Sequence, residues 1–152
     1  MKKFVFTLQY VLDYSIALEK TQKAELRKAQ EALNKLLARL EELEEAYRQN
    51  CSSLTAAIER GINLPYEMSK HDDYFKYLRA AKAELMKKIE VAEKERDKCM
   101  EKLVSTMKRI KVYSKLRQEQ YQAYLHEVKL EEEKEIGDIV SFNVISEEAE
   151  TT

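Results

Sequence analysis

The stretch Gly61-Ile62-Asn63-Leu64-Pro65 contains the only proline of this 152-residue chain and one of its two glycines. Residues 1–60 and residues 66–136, on either side of it, contain neither residue type. Proline lacks a backbone N–H donor and glycine readily adopts the left-handed conformation that closes a helix, so the two together interrupt a helix. The sequence therefore predicts an all-α fold, a long antiparallel two-helix coiled-coil hairpin.

Start signals set the bounds that we predict for the two helices. The first helix is expected over about residues 4–60. Ser69 and Asp72 form the S-x-x-D pattern of a capping box. The bend is therefore expected to cover residues 61–71, and the second helix to run over about residues 72–136.

The second glycine, Gly137, is expected to end the second helix and with it the hairpin domain, residues 1–136. Residues 137–152 are expected to form a short, flexible acidic tail. This tail includes an apolar piece, residues 139–145, which a partner could also bind.

The composition is typical of long helices rather than of a compact globule. Charged residues make up 36% of the chain, with 27 Lys and Arg against 28 Asp and Glu, and tryptophan is absent. The net charge of −1 gives no general reason to bind nucleic acid or an anionic membrane. No apolar run approaches the roughly 18 residues of a membrane span, so direct membrane insertion is not expected.

The charges are unevenly distributed. Residues 98–117 contain seven basic residues and one acidic residue, a local net charge of +6. Residues 127–150 contain nine acidic residues and two lysines, a local net charge of −7. These segments are either two solvated faces or two docking surfaces of opposite sign.

A seven-residue repeat indicates that the first helix packs along one seam. Nine of the ten repeat positions are apolar, and the exception is Asn50. One set of positions consists of Leu26, Leu33, Leu40, Tyr47 and Leu54, and the other of Ala29, Leu36, Leu43, Asn50 and Ala57.

The second helix carries a stripe with a mean spacing of about 3.6 residues, without a strict heptad. The stripe consists of Leu78, Ala81, Leu85, Ile89, Ala92, Arg96, Cys99, Leu103, Met107, Ile110, Tyr113, Arg117, Tyr121, Tyr124 and Val128.

A bend at residues 61–71 fixes which positions face each other. Phe4 is expected opposite Val128, and Cys51 opposite about residue 81. Arms of about 57 residues would form a rod on the order of 85 Å long. Cys51 and Cys99 would then lie roughly 27 Å apart, beyond disulfide reach. Because the sequence shows neither a secretion signal with a cleavage site nor a membrane span, we expect a cytosolic protein with reduced thiols.

No catalytic, cofactor-binding or metal-binding residues are expected, and no cofactor. The only two histidines, His71 and His126, would lie far apart on such a rod and could not share a metal or a proton. Two glycines cannot supply a phosphate-binding loop. A two-helix rod cannot enclose a substrate, so we expect a binding or mechanical role rather than an enzyme.

Aromatic side chains gather near the bend, and not all of them can be buried between two helices. They provide either exposed anchors for a partner or a staple for the bend. The residues are Tyr47, Tyr66, Tyr74, Phe75 and Tyr77.

The opening segment Lys3-Phe4-Val5-Phe6-Thr7-Leu8-Gln9-Tyr10-Val11-Leu12-Asp13-Tyr14 resembles the F-x-F-x-L-Q-x-V-L-D start of the flagellar export protein FliJ family. Tyr74-Phe75-Lys76-Tyr77-Leu78 and residues 115–139 are similar to later segments of that family. Where the family usually has L-D-E-I, this chain has Ile136-Gly137-Asp138-Ile139.

The resemblance implies a non-enzymatic stalk or coupling component of bacterial flagellar type III protein export. Its implied partners are the hexameric flagellar export ATPase, the cytoplasmic domain of the export gate protein FlhA, and flagellar export chaperones. The implied location is the cytoplasm, peripherally associated with the inner face of the cell membrane at the flagellar base. Two alternatives stay open, the stalk of a virulence type III secretion ATPase and a generic helical-hairpin chaperone or scaffold.

Two sets of partner-binding residues are expected. The set for the export gate, carried over from the family by motif, is Leu40, Leu43, Tyr47, Tyr74, Leu78 and Ala81. The set for the export ATPase is Phe4, Leu8, Lys108, Arg109 and Lys111.

Overall fold

The computed structural model describes residues 2–151 and contains two α-helices, α1 (Gln9–Arg60) and α2 (Leu64–Glu150). No β-strand occurs within residues 2–151. The prediction of an all-α fold built from two long helices is therefore confirmed. Helices of 52 and 87 residues gain most of their stability in a protein from packing, and the two helices are packed together along an apolar interface.

The bend is shorter than the sequence predicted, because it consists of residues 61–63 only. Gly61 closes α1 with a φ of 69°, and its N–H donates to the Ala57 carbonyl at 3.2 Å. Asn63 also has a positive φ, 50°, and its carbonyl accepts from the Glu67 N–H at 3.0 Å. Asparagine tolerates this conformation better than most residues, so Gly61 and Asn63 complete the reversal between them.

The predicted start of the second helix near residue 72 was wrong. Pro65 lies in the first turn of α2, where its missing N–H would have no helical partner in any case, so the proline begins this helix. Ser69 and Asp72 consequently lie inside α2, and Asp72 pairs with Lys76 one turn later at 3.1 Å.

The predicted start of the first helix near residue 4 was also wrong, because α1 begins at Gln9. Residues 2–6 are not helical. In a non-helical segment of this kind, Phe4 and Phe6 can point to the same side, and Phe6 is buried while Val5 is exposed. Packing of these two aromatic rings therefore overrides the helical spacing seen in the sequence.

The C-terminal segment is helical and is not a separate tail, which corrects the predicted boundary at residue 136. α2 continues through Gly137 to Glu150. A glycine inside a helix costs only about 1 kcal/mol relative to alanine, and no proline follows Pro65 to stop the helix.

The chain divides into two compact units, and α1 and α2 each contribute to both. We call residues 20–105 the hairpin unit and residues 1–19 with 106–152 the terminal unit.

The hairpin unit has an apolar core along the facing sides of its two helical segments. Leu33, Leu43, Leu78, Leu85 and Ile89 form its buried cluster. Every predicted repeat position of α1 is buried or half-buried except one, Tyr47, which is exposed. The heptad pattern therefore identified the packing face of α1 in this unit.

The terminal unit buries Phe6, Leu12 and Ser15 against its part of α2. Its buried position on α2 is Thr106, whereas the predicted seam residue Met107 is exposed. Phe4 contacts Tyr121 and Tyr124 rather than the predicted Val128 position. The residues of α2 that Phe4 contacts therefore lie between one and two helical turns before the predicted position. The reason is that the bend is three residues long, shorter than the predicted bend over residues 61–71.

Candidate functional site

An open groove of about 410 Å³ lies between the two helical segments of the hairpin unit. Leu43 and Leu78 are buried in the core of this unit, whereas Tyr47 stands beside them and is 40% exposed. The groove is thus apolar at its base and accessible at one wall. Its lining residues are Leu43, Glu44, Tyr47, Arg48, Leu78, Arg79 and Lys82.

Aromatic rings extend from this groove toward the bend. The ring of Tyr47 lies 4.8 Å from that of Phe75, and Tyr74 stacks on Tyr77 at 6.2 Å. Phe75 is half-buried, whereas both rings of the stacked pair are exposed. The aromatic residues therefore hold one another in place and still leave three tyrosine side chains accessible, as an anchor for a partner requires.

The predicted export-gate set divides into two groups. Leu43 and Leu78 are buried, and Leu40 and Ala81 are half-buried and packed against the core. Only the two tyrosines, Tyr47 at 40% and Tyr74 at 43%, expose large side chains. A protein partner could contact those two directly, while Leu43 and Leu78 line the groove and Leu40 and Ala81 support the core beside it.

Charged residues at the rim of the groove were missed by the sequence analysis. Lys82 and Glu44 approach across the helices, with Nζ 3.7 Å from Oε1. Arg48 donates to Glu45 at 2.6 and 3.0 Å. These hydrogen bonds, together with the positive charge of Arg48, hold the pKa of Glu45 below its ordinary value. Arg48 and Lys82 are therefore paired with glutamates, and Arg79 is the cation of the groove lining that has no ion pair within residues 2–151. These residues lie outside the heptad seam, and no seam pattern would have identified them.

A buried polar contact lies in the hairpin unit near the bend. Asn50 Nδ2 donates to the His71 carbonyl at 3.1 Å, and His71 Nδ1 lies 2.6 Å from Asn50 Oδ1. The other ring nitrogen of His71, Nε2, is 3.5 Å from Glu67 Oε2. Asn50, the one polar residue of the α1 repeat, therefore has a specific partner on α2.

In the terminal unit, the N-terminal segment is fixed to α2 by aromatic contacts. The Phe4 ring centroid lies 5.1 Å from that of Tyr121 and 5.5 Å from that of Tyr124, and the Arg117 guanidinium lies 5.7 Å from the Phe4 centroid. The Tyr124 hydroxyl donates to the Lys2 carbonyl at 2.7 Å. Arg117 also donates to the Gln9 side chain at 2.9 Å, which secures the first turn of α1.

The predicted export-ATPase set is not brought into one cluster. Lys108, Arg109 and Lys111 are exposed on α2, whereas Phe4 and Leu8 are half-buried. Phe4 contacts α2 at Tyr121, ten residues beyond Lys111, which corresponds to about 15 Å along a helix. The basic residues and Phe4 therefore form two neighbouring features of one unit.

A second open cavity of about 670 Å³ adjoins Phe4. It was not predicted, because it depends on the non-helical path of the first residues. Two lysines and two glutamates line it, together with apolar side chains. The residues are Lys2, Lys3, Phe4, Val5, Tyr124, Glu127, Val128 and Glu131.

Within residues 2–151, no group of three or more His, Cys, Asp or Glu residues is arranged to hold a metal ion. Cys51 is exposed, Cys99 is buried, and both are free thiols. None of the helices formed by residues 2–151 has the length and apolar character needed to cross a membrane.

Comparisons with known proteins agree with the resemblance seen in the opening segment. The family model described as "Flagellar FliJ protein" matches residues 4–149. The curated proteins and the solved structures contain no match to this chain. Because the family model covers nearly all of the 152 residues, the chain belongs to the FliJ family of flagellar export proteins.

Proposed function

We propose that this chain is a non-enzymatic coupling component of the bacterial flagellar type III protein export apparatus. In this role it promotes ring assembly and activity of the hexameric export ATPase and links that ATPase to the export gate and to export chaperones. The observation that carries the proposal is the family match over residues 4–149. The chain acts in the cytoplasm, at the inner face of the membrane below the flagellum.

The groove of the hairpin unit is the surface proposed to bind the cytoplasmic domain of the export gate. Its apolar base and its exposed Tyr47, together with Tyr74, which is exposed outside the groove lining, suit a partner segment with one or two large apolar side chains. Arg79, which lines the groove and has no ion pair within residues 2–151, favours a segment with an acidic neighbour.

The terminal unit is proposed to bind the export ATPase. Lys108, Arg109 and Lys111 are exposed, and no ion pair within residues 2–151 involves any of them. Their charges are therefore available to carboxylates of a partner, where they would speed association and fix its orientation.

The experiment that tests this function is the addition of the purified chain to purified flagellar export ATPase. We expect faster ATP hydrolysis and a larger fraction of hexamers at limiting ATPase concentration. A generic hairpin scaffold would leave both quantities unchanged, so that result would refute the proposal.

A second measurement addresses the virulence alternative. Expression of the chain in a flagellated host that lacks its own FliJ-family protein is expected to restore swimming. If the chain does not restore swimming in that host but restores secretion in a host that lacks its virulence stalk protein, it belongs to the virulence apparatus.

A further inference from the structure

One side of the hairpin unit carries exposed apolar side chains at multiples of seven residues. On α1, Leu37 lies seven residues before Glu44, which lines the groove described above. On α2, Met86 lies seven residues after Arg79, which lines the same groove, and Met100 follows fourteen residues later. Because seven residues are close to two helical turns, the members of each series share one face of their helix. We call the side of the hairpin unit that carries both series the open flank.

The two series stay level with each other because α1 and α2 run in opposite directions. Seven residues back along α1 and seven residues forward along α2 both lead about 10.5 Å away from the bend. Leu37 therefore lies level with Met86, and the two side chains are 42% and 47% exposed. Two further steps lead to Lys23 and Met100, which line a second open groove, of about 440 Å³. The open flank thus connects the two grooves.

The open flank has four levels, counted from the bend. The residues that define them are Glu44 and Arg79 at the first level, Leu37 and Met86 at the second, Gln30 and Glu93 at the third, and Lys23 and Met100 at the fourth. The first level has the apolar base already described, and the fourth has half-buried Leu26 and the 46% exposed Met100 in its groove. Apolar side chains are therefore accessible at the first, second and fourth levels, and the third level is polar.

The opposite side of the hairpin unit differs in character. Ala32 directly precedes the buried seam residue Leu33, whereas Leu37 directly follows the seam residue Leu36, so Ala32 and Leu37 lie on opposite sides of the seam. The positions that correspond to Ala32 along both helices are exposed, and they are charged or alanine. They are Glu25, Ala32 and Arg39 on α1 and Lys88, Glu95 and Lys102 on α2.

We propose that an amphipathic α-helix of another protein packs along the open flank and completes a three-helix bundle with the hairpin unit. An α-helix presents the same face every two turns, about 10.5 Å, which is the interval between the levels. A β-strand presents side chains to one face about every 6.8 Å and would miss the second level. The four levels span three intervals, about 32 Å, so the helix needs about 21 residues or slightly more.

Charges on the open flank define the chemistry of that helix further. No ion pair within residues 2–151 involves Arg79 at the first level or Glu93 at the third. The two lie fourteen residues apart on α2. A complementary helix therefore carries an acidic residue that meets Arg79 and, about four turns away, a basic residue that meets Glu93. A polar level among apolar ones fixes the register of such a helix.

The inference goes beyond the proposed function, because three of the four levels lie outside the groove proposed for the export gate. Its test contains no export protein, so failure of one leaves the other standing. The probe is a synthetic peptide of about 28 residues, four heptads with leucine at both seam positions, one glutamate, and one lysine fourteen residues later. With about 10 nM of fluorescein-labelled peptide, the full chain is titrated to about 500 µM and anisotropy is measured. We expect a Kd below about 100 µM.

Substitutions identify the surface that binds the peptide. Leu37→Glu with Met86→Glu places two carboxylates at the second level and should raise the Kd at least 10-fold. Met100→Glu alone, at the fourth level, should raise it about 3-fold. The matched control on the opposite side, Ala32→Glu with Lys88→Glu, should leave the Kd unchanged. Far-UV circular dichroism confirms that each variant keeps its helices.

Two further measurements test the charges and the helix. Arg79→Gln should weaken binding of the charged peptide and leave unchanged the binding of a peptide with glutamine at both charged positions. A mixture of chain and peptide should show more helix in far-UV circular dichroism than the sum of the two alone.

Absence of binding up to about 500 µM would overturn the proposal, as would a bound peptide that gains no helix. A Kd that Leu37→Glu with Met86→Glu leaves unchanged, or that the Ala32 and Lys88 control raises equally, would do the same. Equal effects of Arg79→Gln on both peptides would overturn the charge assignment.

Discussion

Asn50 and His71 are joined by two hydrogen bonds between α1 and α2, and both side chains are buried in the hairpin unit. The amide nitrogen of Asn50 binds the backbone of His71, and its oxygen binds the ring. Any slip of one helix along the other would separate the two residues and leave buried polar atoms without partners. The pair therefore fixes the register next to the bend, as single polar residues do in coiled coils.

The first prediction concerns this pair. Asn50→Ala removes both hydrogen bonds and leaves the buried His71 ring nitrogen and carbonyl without that partner. We expect a loss of about 1–3 kcal/mol in the free energy of unfolding, measured by urea denaturation followed by circular dichroism. The matched control is the neighbouring exposed residue, where Gln49→Ala should change stability by less than about 0.5 kcal/mol. Equal effects of the two substitutions would contradict the role of Asn50.

The packing faces were predictable because a long amphipathic pattern leaves few alternatives. The α1 repeat from Leu26 to Ala57 located every buried position of that helix in the hairpin unit, and the glycine and proline of the bend located the reversal. Both signals are local in the sequence, and neither depends on which residues of the other helix lie opposite. Tyr47 is the one repeat position that is exposed, and its neighbour Ala46, outside the repeat, packs against the core instead.

The register was not predictable from such patterns, because it depends on how few residues close the bend. Asn63 with a positive φ lets Pro65 begin α2 at once, and neither effect is visible in hydrophobic spacing.

The groove rim and the cavity beside Phe4 were also not predictable, because each depends on contacts between distant parts of the sequence. The groove rim at Lys82 and the cavity beside Phe4 form only when separate segments meet.

The second prediction tests the groove. Tyr47→Ala with Tyr74→Ala should weaken binding to the cytoplasmic domain of the export gate at least 10-fold, because exposed aromatic anchors contribute a large part of such interfaces. Binding is measured by isothermal titration calorimetry, and helix content by circular dichroism. The control is Tyr14→Ala, an exposed tyrosine of the terminal unit, which should retain full affinity. Unchanged binding of the double variant would assign the gate to another surface.

The third prediction tests the basic residues of the terminal unit. Reversal of Lys108, Arg109 and Lys111 to glutamate should reduce stimulation of the export ATPase several-fold at low salt, where exposed charges interact over the longest range. ATP hydrolysis is measured at matched monomer concentrations. Lys87→Glu with Lys88→Glu adds acidic charge to the hairpin unit and serves as the control. Equal stimulation by both variants would show that the position of the charge does not matter.

The fourth prediction concerns pH. The hydrogen bond and charge of Arg48 lower the pKa of Glu45 in the folded chain. A lowered folded-state pKa means that the pair stabilises the fold above the ordinary pKa of glutamate and loses that contribution as pH falls through the folded value. Arg48→Gln should therefore raise the pKa of Glu45, observed by NMR titration of its side-chain carboxyl. Arg39 pairs with Glu42 instead, so Arg39→Gln should leave Glu45 unchanged. Identical titration of Glu45 with and without Arg48 would contradict the pairing.

The fifth prediction tests the continuity of α2. A Cβ at Gly137 would meet no atom within 4 Å, and the residue lies inside the helix. Gly137→Ala should therefore slow amide hydrogen exchange over residues 131–145 by about 2- to 5-fold, which corresponds to the roughly 0.5–1 kcal/mol that alanine gains over glycine in a helix. Gly61→Ala is the opposite case, because its φ of 69° strains a side chain, and it should destabilise the chain. Faster exchange in Gly137→Ala would mean that the glycine ends the helix.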